Sequence, residues 1–419
     1  MNRAVVCALC AALLAGSPAR ADDRPVVVET DRLLSWRADD GSFLWLGAWV
    51  LTDFQAFPRT ETGYGASWDA DFALRAAHAT VRFRWGEWAC GRLDGEFSDA
   101  SAEVQDAWLE YCGLAPYFQV RAGRFRVPFG LVQQFRTPEL KLHDAAMIAG
   151  NPKDFRDLGL ELHGAFWLDR VRWAVALVTG SRDVAVDVNE QPDVVGRLTF
   201  HPWMGFGPWF ERLRFGGSAG WGEGPTRHGF RGRNTADYTF LAPPTVRGAR
   251  WRAGAELEWA TPGFRLAAEY QHGSYDREGL TDNQRLGSVM VAVGNLDPQV
   301  VWGWYVELSG HPYGGVDGHG DPYDGLELAA RFEHLEFGDG DRPLVTDAGT
   351  EQHAPLLDSW VQAVTAGASW YFGFGLRLSA AYQALRYGRA ALASDHEDGD
   401  ADEGERWVHH VFARAQFVY

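Results

Sequence analysis

The sequence predicts an all-β protein, a transmembrane antiparallel β-barrel of about 16 strands. Segments in which every second side chain is apolar recur from Ser42 to the C-terminus, without long helical periodicity between them. Each such segment predicts a strand with one apolar and one polar face. A soluble sandwich would show the same alternation. The connections, however, alternate between long and short, and this favours a barrel with short periplasmic turns and long external loops.

The N-terminus has the pattern of a secretory signal. Arg3 precedes a short apolar run, and Ala19-Arg20-Ala21 fits a cleavage site. No later stretch approaches the length of uninterrupted apolar sequence that a transmembrane helix needs. Asp39-Asp40-Gly41 predicts a hairpin turn. The predicted organisation is a signal peptide at 1–21, a short periplasmic N-terminal leader at 22–41 and the outer-membrane barrel at 42–419.

The last strand shows the alternation clearly. His410, Arg414 and Gln416 fall between side chains that are apolar. A chain that ends on such a strand, with an aromatic residue last, resembles the closing strand of a bacterial outer-membrane barrel. We therefore expect the barrel-assembly machinery to recognise this strand. Its apolar residues are Val411, Ala413, Ala415, Phe417 and Tyr419.

The composition is acidic, with a net charge of −17. This balance disfavours nucleic acid as a partner, because nucleic-acid binding depends on neutralising phosphates. Lys141 and Lys153 are the only lysines after the signal, so arginine supplies nearly all positive charge. Arginine suits a polar interior wall or oxyanion binding, although a genome rich in arginine codons would give the same bias.

Two motifs lie in the first half of the chain. Residues 120–136 read VRAGRFRVPFGLVQQFR, and residues 156–164 read RDLGLELHG. Further matching segments are DAWLEY at 106–111, GRLTFHP at 196–202, AGASWYF at 366–372 and RAQF at 414–417. In this order and spacing, the sequence resembles the phosphate-selective porin O/P family of Gram-negative outer membranes.

The resemblance implies a sixteen-stranded barrel, usually a homotrimer, whose third external loop folds into the lumen. It implies an outer-membrane porin for passive diffusion of small solutes, with anions such as phosphate as candidates. Lipid bilayer and lipopolysaccharide would surround the barrel, and no cofactor would be needed. One departure is that Leu131-Val132-Gln133 follows the PFG motif, where the family commonly has an acidic residue.

The third long connection, at about 127–155, is the predicted constriction. A basic cluster in a narrow pore lowers the barrier for an anion. Glu139, Asp144 and Asp154 lie in the same segment, so the alternative is that these charges pair within a folded loop. The predicted anion path consists of Arg124, Arg126, Arg136, Lys141, Lys153 and Arg156.

A second group of arginines lies on the polar faces of predicted strands. Acidic residues share these faces, so the wall is either a ladder of unpaired arginines or a mixed wall of arginine–carboxylate pairs. The residue counts favour the mixed wall. The predicted wall arginines are Arg82, Arg92, Arg172, Arg197, Arg265, Arg331 and Arg377.

Cys90 and Cys112 remain after the signal is removed, in an oxidising compartment. Folding the predicted hairpin about Ala100-Ser101 sets them nearly opposite each other, on the polar face of their strands. The sequence therefore predicts a disulfide between them.

Two other function classes stay open. Residues 216–220 (GGSAG) match a nucleophile elbow as a string, which would make the chain a lipase-like barrel enzyme with Ser218 as nucleophile. A structural or adhesive barrel with a plugged lumen is the other alternative. The segment DGDAD at 398–402 lacks the turn glycine and final glutamate of a calcium loop, and no metal site is predicted.

Overall fold

A computed structural model gives the conformation of most of the chain. No helix in this part of the chain is long and apolar enough to cross a membrane. The residues described are 34–58, 68–98, 102–150, 155–180, 191–207, 209–230, 232–233, 239–241, 244–279, 281–286, 289–315, 324–340, 344–345, 351–352, 357–373, 375–388 and 406–418.

Sixteen long antiparallel strands form one closed barrel. Each strand pairs with its neighbours in the chain, and the last strand pairs with the first. The strands are β1 (Phe43–Pro58), β2 (Trp68–Trp85), β3 (Ala89–Glu96), β4 (Glu103–Leu114), β5 (Phe118–Arg126), β6 (Arg156–Phe166), β7 (Val171–Val178), β8 (Asp193–Phe200), β9 (Arg212–His228), β10 (Thr245–Thr261), β11 (Phe264–Tyr275), β12 (Gln299–Tyr313), β13 (Asp324–Gly340), β14 (Leu357–Phe372), β15 (Leu376–Tyr387) and β16 (Arg406–Val418).

Alternation along each strand separates a lipid-facing side from a lumenal side. In β10, Trp251 is exposed on the outer surface, whereas Glu256 is buried on the inner one. Closure leaves no unpaired edge, and the outer surface carries the exposed large apolar side chains. A closed barrel with an apolar exterior is the architecture that crosses the Gram-negative outer membrane, and it places the chain there.

The short connections lie at the barrel end where β1 begins and β16 ends. Gly86, with φ of 57°, makes the tight turn between β2 and β3. Pro262 and Gly263 alone join β10 to β11. The connection between β12 and β13 spans 314–323 and is longer than most turns at this end.

Part of the predicted leader belongs to the barrel sheet. Leu34–Arg37 forms a short strand that pairs with β1, from Leu34 opposite Leu46 to Arg37 opposite Phe43. The predicted turn at Asp39-Asp40-Gly41 is confirmed: Gly41 has φ of 83°, and the Ser42 N–H donates to Asp40 Oδ1 at 2.9 Å. A strand on each side of this turn makes a hairpin, so residues 34–37 of the predicted leader join the barrel sheet.

Cys90 of β3 and Cys112 of β4 are joined by a disulfide, with their Cα atoms 6.7 Å apart. The predicted near-opposition is off by two residues along the ladder, since Cys90 faces Glu110 and not Cys112. The ladder starts with Glu96 opposite Glu103, so the hairpin is centred about one residue before the predicted centre. The two cysteines are diagonal neighbours, and Cys112 is buried.

Replacing both cysteines with serine should destabilise the barrel. The bond joins residues separated by 22 positions, and the chain-entropy estimate for such a loop is about 3 kcal/mol. The temperature at which the folded form loses its compact gel mobility should fall in the variant. Two alkylatable thiols in the unreduced, denatured wild type would contradict the bond itself.

Candidate functional site

The connection between β5 and β6 is the candidate site. Its described part, 127–150, contains three short 3-10 helices at Val132–Gln134, Thr137–Glu139 and Met147–Ala149. Pro138 and the Glu139 carboxylate start the second of these, since Glu139 accepts the Arg136 backbone N–H at 2.9 Å. We call residues 127–150 the lumenal segment, because its long-range contacts are to the inward-facing side chains described next.

The first anchor of the lumenal segment is a buried carboxylate of β11. Glu269 accepts the backbone N–H groups of Leu131 and Val132, both at 3.0 Å. On β9, the Ser218 hydroxyl accepts the Gly130 N–H at 3.1 Å. Gly130 has φ of 66°, and a Cβ there would lie 2.3 Å from the Glu269 carboxylate. Glycine is therefore required at this point of the PFG motif.

The second anchor is an arginine of β15. Arg377 donates to the backbone carbonyls of Leu140 and Lys141 at 2.8 and 3.0 Å. The Lys141 ammonium lies 3.2 Å from the carboxylate of Glu327, a buried residue of β13. Tyr371 donates its hydroxyl to the other Glu327 oxygen at 2.6 Å. This part of the segment lies near the periplasmic ends of β13 and β15.

The third anchor lies where the barrel closes. Arg414 of β16 donates to both carboxylate oxygens of Asp53 on β1, at 2.6 and 2.8 Å. The same guanidinium donates to the His143 carbonyl at 2.6 Å, and the His143 ring lies 3.0 Å from Asp53. The ion pair that joins the first and last strands therefore also holds the lumenal segment.

The fourth anchor is on β13. Glu333 accepts the Met147 N–H at 2.6 Å, and Arg331 donates to the Asp144 carbonyl at 2.8 Å. Apolar packing continues from here. The segment's buried side chains, such as Leu131 and Ile148, pack against inward-facing apolar residues of β11 to β16. Those wall residues are Ala267, Val301, Tyr305, Leu335, Phe337, Val361, Ala363, Leu385, Tyr387 and Val408.

The predicted anion-path residues are mostly engaged by other groups. Arg126 donates to the carbonyls of Gln133 and Phe135 at 2.9 and 2.8 Å. Lys153 lies outside the described residues. The remaining partners are Glu139 for Arg136, Glu327 for Lys141, Asp106 for Arg156 at 3.0 Å and Glu103 for Arg124 at 3.5 Å.

The wall arginines form a largely paired wall. Arg377 binds carbonyls of the lumenal segment, and Arg82 lies over the Trp45 ring at 5.6 Å. The others have carboxylate partners: Arg92 with Asp94 at 2.9 Å, Arg172 with Asp169 at 3.4 Å, Arg197 with Glu256 at 2.6 Å, Arg265 with Glu258 at 2.7 Å and Arg331 with Glu333 at 3.1 Å.

His201, in the turn after β8, adds no positive charge to this wall. Burial, with Arg214 and Arg172 nearby, lowers the pKa of His201 to about 3. The imidazole is therefore neutral at pH 7.

The position of Ser218 argues against the nucleophile-elbow hypothesis. Ser218 lies in the middle of β9, so the strand–turn–helix geometry of a nucleophile elbow is missing around it. Asp53, Glu269 and Glu333 were not predicted as site residues, although acidic residues were expected on the polar faces of the strands. The alternation along each strand predicts that these side chains face the lumen. Their backbone partners, however, depend on the path of the lumenal segment.

No family model and no curated protein sequence matches the chain. Several solved structures share its architecture. The outer membrane channel DcaP of Acinetobacter baumannii has a TM-score of 0.56 at 11% identity, over 92% of this chain and 99% of that one. OmpF of Salmonella typhi, in complex with daunomycin, has a TM-score of 0.54 at 13% identity, over 92% of this chain and 100% of that one. The trimer form of OmpT, an outer membrane protein of Vibrio cholerae, has a TM-score of 0.52 at 10% identity, over 90% of this chain and 99% of that one. At such identities the likeness shows the fold.

Replacing Glu269 with alanine should loosen the lumenal segment. It would leave the buried Leu131 and Val132 N–H groups without their acceptor, at a cost of about 1–3 kcal/mol each. Limited proteolysis should then cut within 127–150, where the wild type resists. Glu269→Gln, which keeps one acceptor oxygen, should be intermediate. Glu336→Ala removes an exposed carboxylate of β13 and should change nothing; equal cleavage in it would contradict the anchor.

Proposed function

We propose that the chain is an outer-membrane pore that lets small polar solutes diffuse passively, with a weak preference for anions such as phosphate. Two features support a pore. The inner wall of the barrel is polar and charged, and the lumenal segment is held against β9 to β16 and β1. The segment would narrow the lumen without a covalent plug, and passage would need no cofactor and no chemical step.

The observation that supports an anion preference is the chemistry of two arginine partners. Arg126 and Arg377 bind carbonyl oxygens of the lumenal segment, which carry no formal charge. Arg377 also lies close to the ion pair of Lys141 and Glu327, whose two charges balance each other. Because a narrow pore has a lower dielectric than water, this local excess lowers the barrier for an anion. The paired remainder of the wall keeps the preference weak.

Single-channel recording in a planar bilayer tests the proposal. The wild type should conduct, and its reversal potential in a salt gradient should indicate a small excess of anion permeability. Lys141→Glu reverses the local excess and should lower the anion-to-cation permeability ratio by about threefold. Arg37→Glu makes the same charge change on an exposed residue of the N-terminal hairpin and is the matched control.

Each alternative predicts a different experimental result. A plugged structural or adhesive barrel would not conduct. A lipase-like enzyme would hydrolyse esters and lose that activity in Ser218→Ala, whereas a pore has no such activity to lose. An unchanged reversal potential in Lys141→Glu, with conduction intact, would remove Lys141 from the ion path and leave the pore itself standing.

We further propose that the chain assembles as a homotrimer, surrounded by lipopolysaccharide, after recognition of β16 by the barrel-assembly machinery. The trimer form of Vibrio cholerae OmpT supports the oligomer by analogy of fold. Deleting residues 417–419 should reduce the heat-modifiable trimer in outer-membrane fractions, since β16 would lose its aromatic end. Deleting Leu34–Arg37 removes a short strand at the same seam and is the control. Normal trimer yield without 417–419 would contradict the assembly signal.

A further inference from the structure

The turn between β8 and β9 is an aromatic lobe. Its residues 201–211 read HPWMGFGPWFE, and four of them are large and exposed: Trp203 (41%), Phe206 (68%), Trp209 (66%) and Phe210 (49%). Gly205 and Gly207 have φ of 84° and 98°, and these left-handed conformations let the chain double back within the turn.

The lobe packs against the lipid-facing side of the barrel wall. Phe210 stacks on Trp259 of β10, with ring centroids 6.1 Å apart and planes within 3°. The Trp259 indole N–H donates to the Trp209 carbonyl at 2.6 Å. Trp203 contacts Phe215 of β9 at 6.2 Å. Trp259 and Phe215 alternate with the lumenal residues Glu258 and Arg214, so they point outward. The lobe therefore extends the apolar belt at its periplasmic edge.

A cavity of about 360 Å³ opens beside the lobe. It lies between Trp209 and the β10–β11 turn, and its lining is mainly apolar. The lining residues are Trp209, Thr261, Pro262, Gly263 and Phe264. A cavity of this character at the membrane edge suits a hydrocarbon chain better than a polar solute.

A cation borders the same lobe. Arg170, in the turn between β6 and β7, donates to the Met204 carbonyl at 2.9 Å, and its guanidinium lies over Phe206 at 5.6 Å. The neighbouring Asp169 pairs with Arg172 instead. Within the described part of the chain no carboxylate pairs with Arg170. An unneutralised arginine beside exposed aromatic rings matches the phosphate of a lipid headgroup.

We propose that the lobe binds a phospholipid of the periplasmic leaflet. An acyl chain occupies the cavity at Trp209, and Arg170 attracts the phosphate. The continuity of the lobe with the lipid-facing belt selects a lipid over a soluble partner, and its place at the turn end of the barrel selects the periplasmic leaflet. The proposal rests on the outer-membrane location and is independent of the selectivity of the pore.

Native mass spectrometry of the detergent-purified protein, titrated with phosphatidylglycerol, tests the site. The wild type should retain one lipid through activation that strips the rest. The double variant Phe206→Ser with Trp209→Ser should reduce the retained fraction about tenfold, and Arg170→Gln about fivefold. Trp88→Ser is the matched control, because Trp88 is an exposed aromatic residue (56%) of another short turn at the same end.

Equal lipid loss in Trp88→Ser would show that any rim aromatic residue retains lipid, and this would overturn a specific site. Copies cross-linked through Phe206→Cys in phosphatidylglycerol vesicles would assign the lobe to a second copy of the chain, also overturning the proposal. Compact gel mobility should be unchanged in every variant, as should single-channel conductance, because the lobe lies outside the lumen. A wild type that does not conduct would contradict the proposed pore and leave the lipid site unaffected.

Discussion

Closure of the barrel between β16 and β1 is the interaction on which the rest of the structure depends. Inside a bilayer, an unpaired strand edge would expose N–H and C=O groups to hydrocarbon, so the sheet must close. Closure then fixes which face of every strand meets lipid and which meets the lumen. The buried pair of Asp53 and Arg414 crosses this seam. Because Arg414 also binds the His143 carbonyl, closing the seam completes one docking point for the lumenal segment.

The lumenal segment supplies partners for polar side chains of the inner wall. The segment brings backbone N–H groups to Glu269 and Glu333, and backbone carbonyls to Arg331 and Arg377. Side chains on the wall thereby satisfy a segment that has little regular structure of its own. Its apolar residues meet an apolar patch of wall, so polar and apolar contacts fix the same path.

The fold was predictable from the sequence because it follows from local patterns. Alternation in segments such as 251–259 predicts which face of each strand meets lipid. The alternating lengths of the connections predict an outer-membrane barrel. The Cys90–Cys112 register was missed by two residues, since it depends on where the hairpin turns. The site was less predictable. Arg377 has the same alternation as Arg265, yet one binds backbone carbonyls and the other carboxylates. That difference depends on a nonlocal chain path, which no local pattern encodes.

The identity of an arginine's partner decides its effect on a passing ion. A carboxylate partner cancels the guanidinium charge, so pairs such as Arg197 and Glu256 hold the wall rigid and leave little field in the lumen. A carbonyl partner satisfies the donors of the guanidinium without cancelling its charge. Arg126 and Arg377 are thus held in position by hydrogen bonds to carbonyl groups and keep their positive charge. An arginine held in this way contributes a fixed positive potential without needing to bind the solute. This property suits a pore through which solutes must leave as readily as they enter.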